Sequence, residues 1–353
     1  MATIHDISKA TGYSISTVSK VINNYKGISP ATRKVIEATI KDMDFIPNTT
    51  AKSLVMKKSW TIAVILEDEK GTGIMHPHYS AILQSFQKTA GQNGYDTIFL
   101  NRNIGGHEIS YLEHCRYRNV DGILLALSLP FDKKINVILD GNIQMISVES
   151  GFPGVQAVVS DNEMGTKQAM EHLYQLGHRK IAHIGGPQMK AGAGMERYRT
   201  YLSFLEEKQL QQKPEYYVEA AKFNEEAGML AARKLLQQCE KDMPTAVFAA
   251  CDYYALALIE VLAEKGYRVP DDLSVIGFDD INISGYYNGG ITTIQQNRAY
   301  IGMLAAQLLV EKMQGLSDDV SYNEVIKIPT SLIIRKSTMA EASLRIGGSI
   351  SDS

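Results

Sequence analysis

Apolar residues at the start of the chain recur at the three- and four-residue spacing of short amphipathic helices. Ile4, Ile7 and Ala10 share one face of a first segment, which ends at Gly12. Glycine adopts a positive φ at no steric cost, and Ser14 can then cap a second segment. The apolar residues of that second segment are Val18, Val21 and Ile22. The spacing therefore predicts two helices joined by a tight turn.

A third helix is predicted after Ser29, an N-cap residue followed by Pro30 at the first helical position. Its predicted buried stripe consists of Val35, Ile36, Thr39, Ile40 and Met43. The second helix leaves Ile15, Ser16, Ser19 and Lys20 facing outward. This pattern indicates a helix-turn-helix whose second helix reads DNA, and a small helical bundle without a ligand is the alternative.

Beyond residue 59 the pattern changes to short β-branched runs that alternate with stretches of helical length. Predicted strands cover residues 61–66, 95–100, 121–126 and 143–148, with helices near 78–93 and 107–118. A second group of predicted strands covers residues 156–160, 180–185, 245–249 and 273–278. Helices lie between these strands too, so the sequence predicts two doubly wound lobes. Ligands bind at the carboxyl ends of parallel strands, and a cleft between two such edges suits a small molecule.

Charge is distributed unevenly, although the formal net charge of the 353 residues is only −3. Residues 1–58 hold nine lysines and arginines against four acidic residues, which gives +5 and leaves −8 for the remainder. A basic head suits contact with phosphates, and an acidic body disfavours non-specific adhesion to nucleic acid. A solvated basic face is the alternative interpretation.

Three cysteines, Cys115, Cys239 and Cys251, lie far apart and suggest neither a disulfide framework nor a thiolate metal site. No apolar run at the start suggests a signal peptide, and no stretch reaches the roughly twenty apolar residues of a membrane span. We therefore expect a cytoplasmic protein without metal, cofactor or membrane contact.

Catalytic motifs are absent from the sequence, which has no P-loop, no nucleophile elbow and no dinucleotide-binding fingerprint. His76 and His78 flank a proline, but histidine pairs in loops are usually polar surface rather than metal ligands. The histidines expected to be structural are His172, His178 and His183. We therefore expect no enzymatic activity.

Several separate segments together are typical of one protein family. They are Phe45-Ile46-Pro47-Asn48, Thr50-Ala51-Lys52-Ser53-Leu54, Asp161-Asn162, Leu176-Gly177-His178-Arg179, the run from Val269 to Asp280, and Thr292-Thr293-Ile294-Gln295-Gln296. On these segments the chain resembles the LacI/GalR transcriptional regulators over nearly its whole length. The resemblance implies an all-α helix-turn-helix head and an α/β periplasmic-binding-protein-like core of two doubly wound parallel-sheet lobes.

The same resemblance implies a division of the chain. The head covers residues 1–47, a hinge helix and linker cover 48–59, and the effector-binding and dimerisation core covers 60–338. Lobe 1 takes about 60–158 and 293–320, lobe 2 about 159–290 and 321–338, and a tail covers 339–353. The tail shows no leucine heptad, so we expect a dimer rather than a tetramer.

By resemblance, Ile15, Ser16 and Lys20 occupy base-reading positions of the recognition helix. Many relatives carry arginine where Lys20 lies, and lysine lacks the planar donor fork that reads guanine, so base selectivity there should be softer. The positions that usually bind phosphates hold Thr3, Thr17, Ser19 and Asn23. For Thr17 and Asn23, local capping or turn bonding is nearly as plausible a role.

The hinge has a separate predicted mechanism. Its helix is too short to be stable alone, so it should order only when two copies meet over DNA. By resemblance, Ala51 and Leu54 belong to the minor-groove contact, and Leu54 inserts between base pairs at the operator centre.

By resemblance, Arg197 is the strongest effector-binding residue, because a guanidinium can bridge two hydroxyls or hold a carboxylate. Asp279 should accept hydrogen bonds from ligand hydroxyls, and Phe223 should form an aromatic wall, although ordinary core packing is the alternative. Further candidates are His78, Tyr79, Cys251, Gln296 and Asp161. Cys251 departs from the family, where asparagine is common, so one ligand hydrogen bond is lost or replaced by an apolar contact.

The combined prediction is a cytoplasmic, homodimeric, ligand-responsive regulator. We expect a repressor of a carbohydrate-utilisation operon that binds a near-palindromic operator and is switched by a small molecule, a sugar or sugar derivative, in the interlobe cleft. One alternative is a family member controlled by a protein partner or a non-sugar metabolite. Another is a sugar-binding protein without a regulatory role, against which the head and the missing export signal speak.

Overall fold

The computed structural model describes residues 2–23, 25–45, 58–66, 73–126, 137–187, 192–316 and 324–344. The chain divides into two compact units, residues 1–59 and residues 60–353. Most of the predicted hinge, including Ala51 and Leu54, lies outside the described residues. No helix in the described ranges is long and apolar enough to cross a membrane.

The first unit consists of three helices, α1 (Ile4–Thr11), α2 (Ile15–Ile22) and α3 (Pro30–Asp42). Gly12 ends α1 with a φ of 72°, and the Ser14 hydroxyl accepts a hydrogen bond from the Thr17 amide at 3.2 Å to cap α2. These local contacts form the predicted tight turn. The helices close over a small core of Ile7, Val18, Val21 and Ile36.

The buried stripe of α3 differs from the prediction at one position. Val35 is 46% exposed, whereas Ile36 is completely buried and Ile40 and Met43 pack against the same core. Ile36, Ile40 and Met43 follow the four- and three-residue steps of a single helix face, and Val35 lies about 100° away from Ile36 around the helix. Including Val35 in the stripe was therefore wrong.

The first lobe of the second unit is built on a six-stranded sheet in which all neighbouring strands pair in parallel. The strands are β1 (Thr61–Ile65), β2 (Asp96–Phe99), β5 (Gly122–Leu125), β6 (Gln144–Val148), β7 (Ala157–Ser160) and β13 (Val325–Ile328). Their order across the sheet is β13-β7-β6-β5-β1-β2. Its helices are α4 (Pro77–Gln92), α5 (Tyr111–Arg118) and α10 (Arg298–Gln314).

The second lobe is built on a four-stranded parallel sheet of order β11-β10-β8-β9. Its strands are β8 (Ile181–Gly185), β9 (Tyr217–Glu219), β10 (Ala246–Ala249) and β11 (Ser274–Ile276). The helices are α6 (Asn162–Gln175), α7 (Ala193–Glu207), α8 (Glu225–Gln238) and α9 (Asp252–Glu264). A two-stranded antiparallel sheet of β12 (Thr293–Gln295) and β14 (Ser331–Ile333) adjoins β11 through single bridges.

The boundaries between the lobes differ from the prediction in three places. Strand β7 was predicted to open the second lobe but pairs with β6 and β13 of the first, and β13 was assigned to the second lobe. Strand β12 was assigned to the first lobe but pairs with β14 of the second. Each lobe completes its sheet with strands from distant parts of the sequence, so the described chain crosses between the lobes at residues 161, 296–297 and 329–330.

The helix predicted at 107–118 is shorter than expected. A small hairpin of β3 (Asn103–Ile104) and β4 (His107–Glu108) precedes it, and α5 begins only after Ser110. Ser110 and Glu113 form a reciprocal capping box, which fixes the helix start at this point.

The three histidines that were expected to be structural are all bonded within the second lobe. His172 Nε2 lies 3.0 Å from Thr338 Oγ1, and both ring nitrogens of His178 have partners at 3.0 Å. His183 is buried with its Nδ1 atom 2.8 Å from the Phe248 carbonyl oxygen, and burial lowers its pKa to about 4. A neutral, bonded ring in each case fits a structural role.

Candidate functional site

The predicted DNA-reading face lies on α2 of the head. Ile15, Ser16 and Lys20 are exposed there, while Val18 and Val21 on the opposite side are buried in the core. An exposed isoleucine next to polar groups suits contact with base edges in a major groove. Base reading by these residues remains a prediction.

The four predicted phosphate-binding residues already make local hydrogen bonds. Thr3 forms a capping box with Asp6, and Thr17 Oγ1 lies 2.9 Å from the Ser14 hydroxyl. Asn23 Nδ2 donates to the carbonyl and hydroxyl oxygens of Ser19, at 2.9 and 3.3 Å. Local bonding, the alternative for Thr17 and Asn23, is therefore present, and phosphate contact remains a prediction for all four.

Arg197 on α7 is the centre of a buried polar cluster in the second lobe. Its Nε atom donates to Asn162 Oδ1 at 2.9 Å, and Nη1 donates to the Ala250 carbonyl oxygen. The same Nη1 lies 3.7 Å from Asp279 Oδ1, and the guanidinium carbon lies 3.6 Å from the centroid of the Phe278 ring. A buried guanidinium needs such partners, since an unpaired buried charge is costly.

Asp279 and Gln296 extend this cluster towards a crossover between the lobes. Asp279 follows β11 with a φ of 115°, in the left-handed region that side chains rarely adopt, and is 4% exposed. Gln296 Nε2 donates to Asp279 Oδ1. The Oε1 atom of Gln296 is buried and has no hydrogen-bond partner among the described residues. Strain and an unsatisfied buried acceptor are typical of functional sites.

The first lobe contributes a buried pair, His78 and Glu149. His78 Nε2 lies 3.3 Å from Glu149 Oε1, and the Nδ1 atom of His78 has no partner among the described residues. Glu149 accepts hydrogen bonds from the Ser160 hydroxyl at 2.8 Å and from its amide at 3.3 Å. Burial acts to raise the pKa of Glu149, but His78 and the Ser160 bonds outweigh it, so the pKa is lowered and the group stays ionised.

Asn162 links the two halves of the site. Its Nδ2 atom donates to the Ser160 carbonyl oxygen at 3.2 Å, while its Oδ1 atom accepts from Arg197. A continuous chain of buried polar groups thus runs from the first lobe to the second. We call it the crossover network, and its members are His78, Glu149, Ser160, Asn162, Arg197, Asp279 and Gln296.

Sequence reasoning missed Glu149, Ser160 and Asn162. Asp161 was predicted to contact the effector, but its carboxylate accepts from the Met164 amide at 2.9 Å as the N-cap of α6, and Asn162 is the residue in the network. Glu149 follows β6 directly, so polar residues at strand ends were the signal that could have found it. Effector contact by Asp161 remains a prediction.

Aromatic rings of both lobes pack against the first residues of α9, Tyr253 and Tyr254. Phe223 stacks on Tyr254 with centroids 5.8 Å apart, and a side chain at Gly186 would collide with the Phe223 ring, so glycine permits this packing. Across the lobes, the His76 and Tyr253 rings lie 5.7 Å apart in an edge-to-face arrangement. Tyr79 is half-buried, 5.5 Å from the His78 ring.

Cys251 is completely buried at the N-cap position of α9, and burial raises the pKa of its thiol, which stays protonated. The next residue, Asp252, accepts hydrogen bonds from the Ile281 amide, the Ser284 hydroxyl and the Thr293 hydroxyl at 2.9, 2.7 and 2.6 Å. Asp252 therefore holds the loop that carries Asp279. Burial, and secondarily the charge of Asp279, raises the pKa of Asp252 to about 7.

The described residues form no candidate metal site. Within the described ranges, no three histidine, cysteine, aspartate or glutamate side chains come together as potential ligands of an ion. The crossover network therefore offers hydrogen bonds and charges as its means of recognition.

Comparison with known proteins agrees with this architecture. The model of bacterial regulatory proteins of the lacI family matches residues 3–48, and that of the periplasmic binding protein-like domain matches residues 170–338. The HTH-type transcriptional repressor PurR of Haemophilus influenzae (strain PittEE) is 32% identical over 340 residues, which cover 96% of this chain and 98% of that protein. PurR of Mannheimia succiniciproducens is 30% identical over 341 residues, with 96% and 98% covered.

Solved structures show the same relationship. A lac repressor dimer bound to operator and the anti-inducer ONPF has a TM-score of 0.79 at 26% identity, over 96% of this chain and 99% of that one. The transcriptional regulator CelR in complex with cellobiose has a TM-score of 0.69 at 28% identity, over 96% and 100%. The predicted resemblance and fold class are confirmed: the chain belongs to the LacI family, whose members are DNA-binding transcriptional regulators and not enzymes.

Proposed function

We propose that this regulator is a homodimeric repressor of a carbohydrate-utilisation operon and that a sugar bound between its lobes switches its affinity for a near-palindromic operator. The observation that carries the proposal is the crossover network. It holds two buried polar atoms, Gln296 Oε1 and His78 Nδ1, that lack partners among the described residues. Ligand hydroxyls can donate to one and accept from or donate to the other, and the Phe223 ring can stack on a sugar face.

The position of the network suggests how binding is transmitted. Ser160, Asn162 and Gln296 lie at or beside two of the crossovers between the lobes. A ligand held there contacts both lobes and favours the arrangement in which both sets of contacts are made. In the proposed mechanism this arrangement releases the operator, so the sugar acts as an inducer.

The dimer is proposed from the head and from one surface of the core. A single recognition helix reads one half-site, so a palindrome requires two copies, with half-sites roughly one helical turn apart. In the second lobe, Ile283 and Tyr286 are 52% and 87% exposed on neighbouring turns of one loop. A second copy covering these side chains would bury their apolar surface.

A purine base is the second candidate effector. The flat Phe223 ring, supported from behind by Tyr254, suits a heterocycle as well as a sugar. The curated relatives named PurR add weight to this alternative.

The test is a thermal-shift screen of the full chain against mono- and disaccharides, their phosphates and nucleobases, because a ligand that binds only the folded state raises the melting temperature. Fluorescence anisotropy of operator DNA, with and without each hit, then reports the sign of the coupling. A sugar hit that weakens operator binding is the expected result. A nucleobase hit would transfer the assignment to the second candidate, and a blank screen would contradict a free small-molecule effector.

The hinge is tested separately by Leu54→Ala. We expect operator affinity to fall by about ten- to a hundred-fold, since the lost apolar wedge is needed to open the central base step, while effector affinity stays unchanged. Unaltered anisotropy titrations would contradict the minor-groove role.

A further inference from the structure

The charge balance of the cleft bears on which effector can enter it. Three carboxylates lie in or beside the crossover network. Glu149 and Asp279 are buried members of it, and half-buried Glu196 adjoins it, since its Oε2 atom accepts from Asn162 Nδ2 at 3.2 Å. Two positive groups oppose these three carboxylates within the described part of the network: the guanidinium of Arg197 and, when it is protonated, the imidazole of His78 that pairs with Glu149. The site therefore carries an excess of negative charge in a buried setting, where like charges are poorly screened.

The guanidinium groups of Arg335 and Arg298 are both engaged with Asp280, the first with its carboxylate and the second with its backbone carbonyl. Arg335 Nη2 lies 2.7 Å from Asp280 Oδ1, and Arg298 donates to the Asp280 carbonyl oxygen at 2.9 Å. These contacts stabilise the residue next to Asp279 and do not neutralise Asp279 itself. The negative excess at the network is consequently not offset from this side.

Arg197 is already committed to protein acceptors. Asn162, the Ala250 carbonyl and Asp279 surround its Nε and Nη1 atoms, and the face of its guanidinium covers the Phe278 ring. A phosphate group would have to compete with these partners for the planar donor fork that makes arginine a phosphate receptor. Each edge through which the guanidinium could hold an anion with two donors, Nε with Nη2 or Nη1 with Nη2, thus already has one nitrogen bonded to the protein. An anion would have to displace Asn162 or the Ala250 carbonyl to bind through either edge.

Glu149, in the first lobe, favours a ligand that donates hydrogen bonds and disfavours an anion. Its carboxylate is buried, ionised and held by Ser160 and His78, so it can accept a hydrogen bond from a ligand hydroxyl. A second anion brought against it would be repelled, and like-charge juxtaposition is a common means of rejecting a wrong ligand.

We infer that the cleft selects an uncharged, hydroxyl-bearing effector and rejects the phosphate ester of the same molecule, with Glu149 as the residue that determines this selectivity. The inference rests on the proposed small-molecule effector and specifies its chemical class. The inference concerns the difference in affinity between an uncharged molecule and its own phosphate ester. It can therefore be wrong while the proposed function is right.

The experiment is calorimetric titration of the full chain at one fixed pH and ionic strength with matched pairs: glucose and glucose 6-phosphate, ribose and ribose 5-phosphate, adenosine and AMP. For at least one pair we expect the uncharged member to bind and its ester to bind about a hundred-fold more weakly, because the ester brings a like charge against the carboxylates. An ester that binds as tightly as its parent would overturn the inference and leave a small-molecule effector in place. Binding by neither member of any pair would overturn the inference, whereas the proposed sugar effector stands or falls with the thermal-shift screen.

Glu149→Gln tests the residue assignment, because it removes the charge and keeps the shape and one acceptor. We expect the preference for the uncharged member to shrink about ten-fold, since one buried like charge has been removed. Glu163→Gln is the matched control on the exposed face of α6, where Glu163 pairs with Lys167 at 2.7 Å, and should leave the preference unchanged. If Glu149→Gln does not fold, Glu196→Gln probes the same negative excess. If Glu149→Gln folds and keeps the full preference for the uncharged ligand, Glu149 is not the residue that determines the selectivity. If Glu196→Gln is used instead and keeps the full preference, the carboxylates together are not its source.

Discussion

The head and the core place their functional side chains in opposite environments. In the head, Ile15 is 40% exposed beside Ser16 and Lys20, and the hydrogen bonds around these residues join positions three to five apart. In the core, Arg197 and Asp279 are each 4% exposed, and Arg197 bonds to residues 35 and 53 positions away. One site is a surface displayed by local structure, and the other is a buried network assembled by the fold.

This difference decides how each site should respond to substitution. A displayed side chain can be replaced at little cost in stability, so binding and folding separate in the head. A side chain in a buried network supports its neighbours, so binding and folding are coupled in the cleft. The following substitutions test that contrast.

Arg197→Ala should have the largest effect. It leaves Asp279 buried without its cation, which costs about 3 to 5 kcal/mol of unfolding free energy, and it should abolish the effector response while the head still binds operator. Chemical denaturation and calorimetry measure the two losses. Arg199→Ala, two residues along α7 and exposed, is the control and should change neither. Retained effector affinity in Arg197→Ala would contradict the site.

Asp252 should make the stability of the core depend on pH. Its pKa rises from an ordinary 3.8 to about 7 in the folded protein, so between these values the folded state holds a proton that the unfolded state has released. Stability therefore falls as the pH rises from about 4 to 7, by about 3 kcal/mol, and then levels off. The measurement is urea unfolding across this range. Asp252→Asn should remove this fall, whereas exposed Asp96→Asn should keep it; identical profiles for all three proteins would refute the assignment.

Ile36→Ala should destabilise the head alone. Ile36 is one of four buried apolar residues there, and its truncation costs roughly 2 to 3 kcal/mol. We expect operator affinity to fall while effector binding is retained. Val35→Ala, adjacent and 46% exposed, should be nearly neutral. Equal losses for both variants, measured by thermal unfolding of the head, would mean that α3 packs with a different face.

Ser14→Ala and Ser16→Ala should have the smallest effects, and they should separate the stability of the head from its operator preference. Ser14 caps α2, so its loss costs about 1 kcal/mol of head stability. Exposed Ser16 has no such role, and its substitution should alter operator preference at unchanged stability. A stability loss in Ser16→Ala as large as in Ser14→Ala would weaken the distinction between displayed and supporting residues.

The same contrast explains how much could be predicted from the sequence. The turn at Gly12 and the cap at Ser14 are local, and both were predicted correctly because short-range hydrogen bonds and backbone preferences create them. Eight strands of the two lobes were also predicted, since β-branched runs are local too, whereas the short strands β9, β12, β13 and β14 were not predicted. Val35 was misplaced because five apolar or small residues fit two overlapping helical stripes, and only packing selects one.

The pairing of strands that lie far apart in the sequence could not be predicted from local patterns. Strands β7, β12 and β13 were assigned to the wrong lobe, because sequence order does not reveal which sheet a crossing strand joins. For the cleft, family resemblance indicated Arg197 and Asp279, which the structure places 3.7 Å apart. It gave no indication of Asn162 or Glu149, whose importance arises only from the neighbours that folding brings to them.

The polar side chains of Ser160, Asn162 and Gln296 lie at or beside two of the three crossovers between the lobes, the points about which the proposed movement of the lobes would turn. In the proposed mechanism, a substitution at these crossovers alters ligand contacts and the balance between the two arrangements of the lobes at once. We therefore expect ligand preference and basal repression to change together, and a change of effector in this chain to require compensating substitutions away from the crossovers.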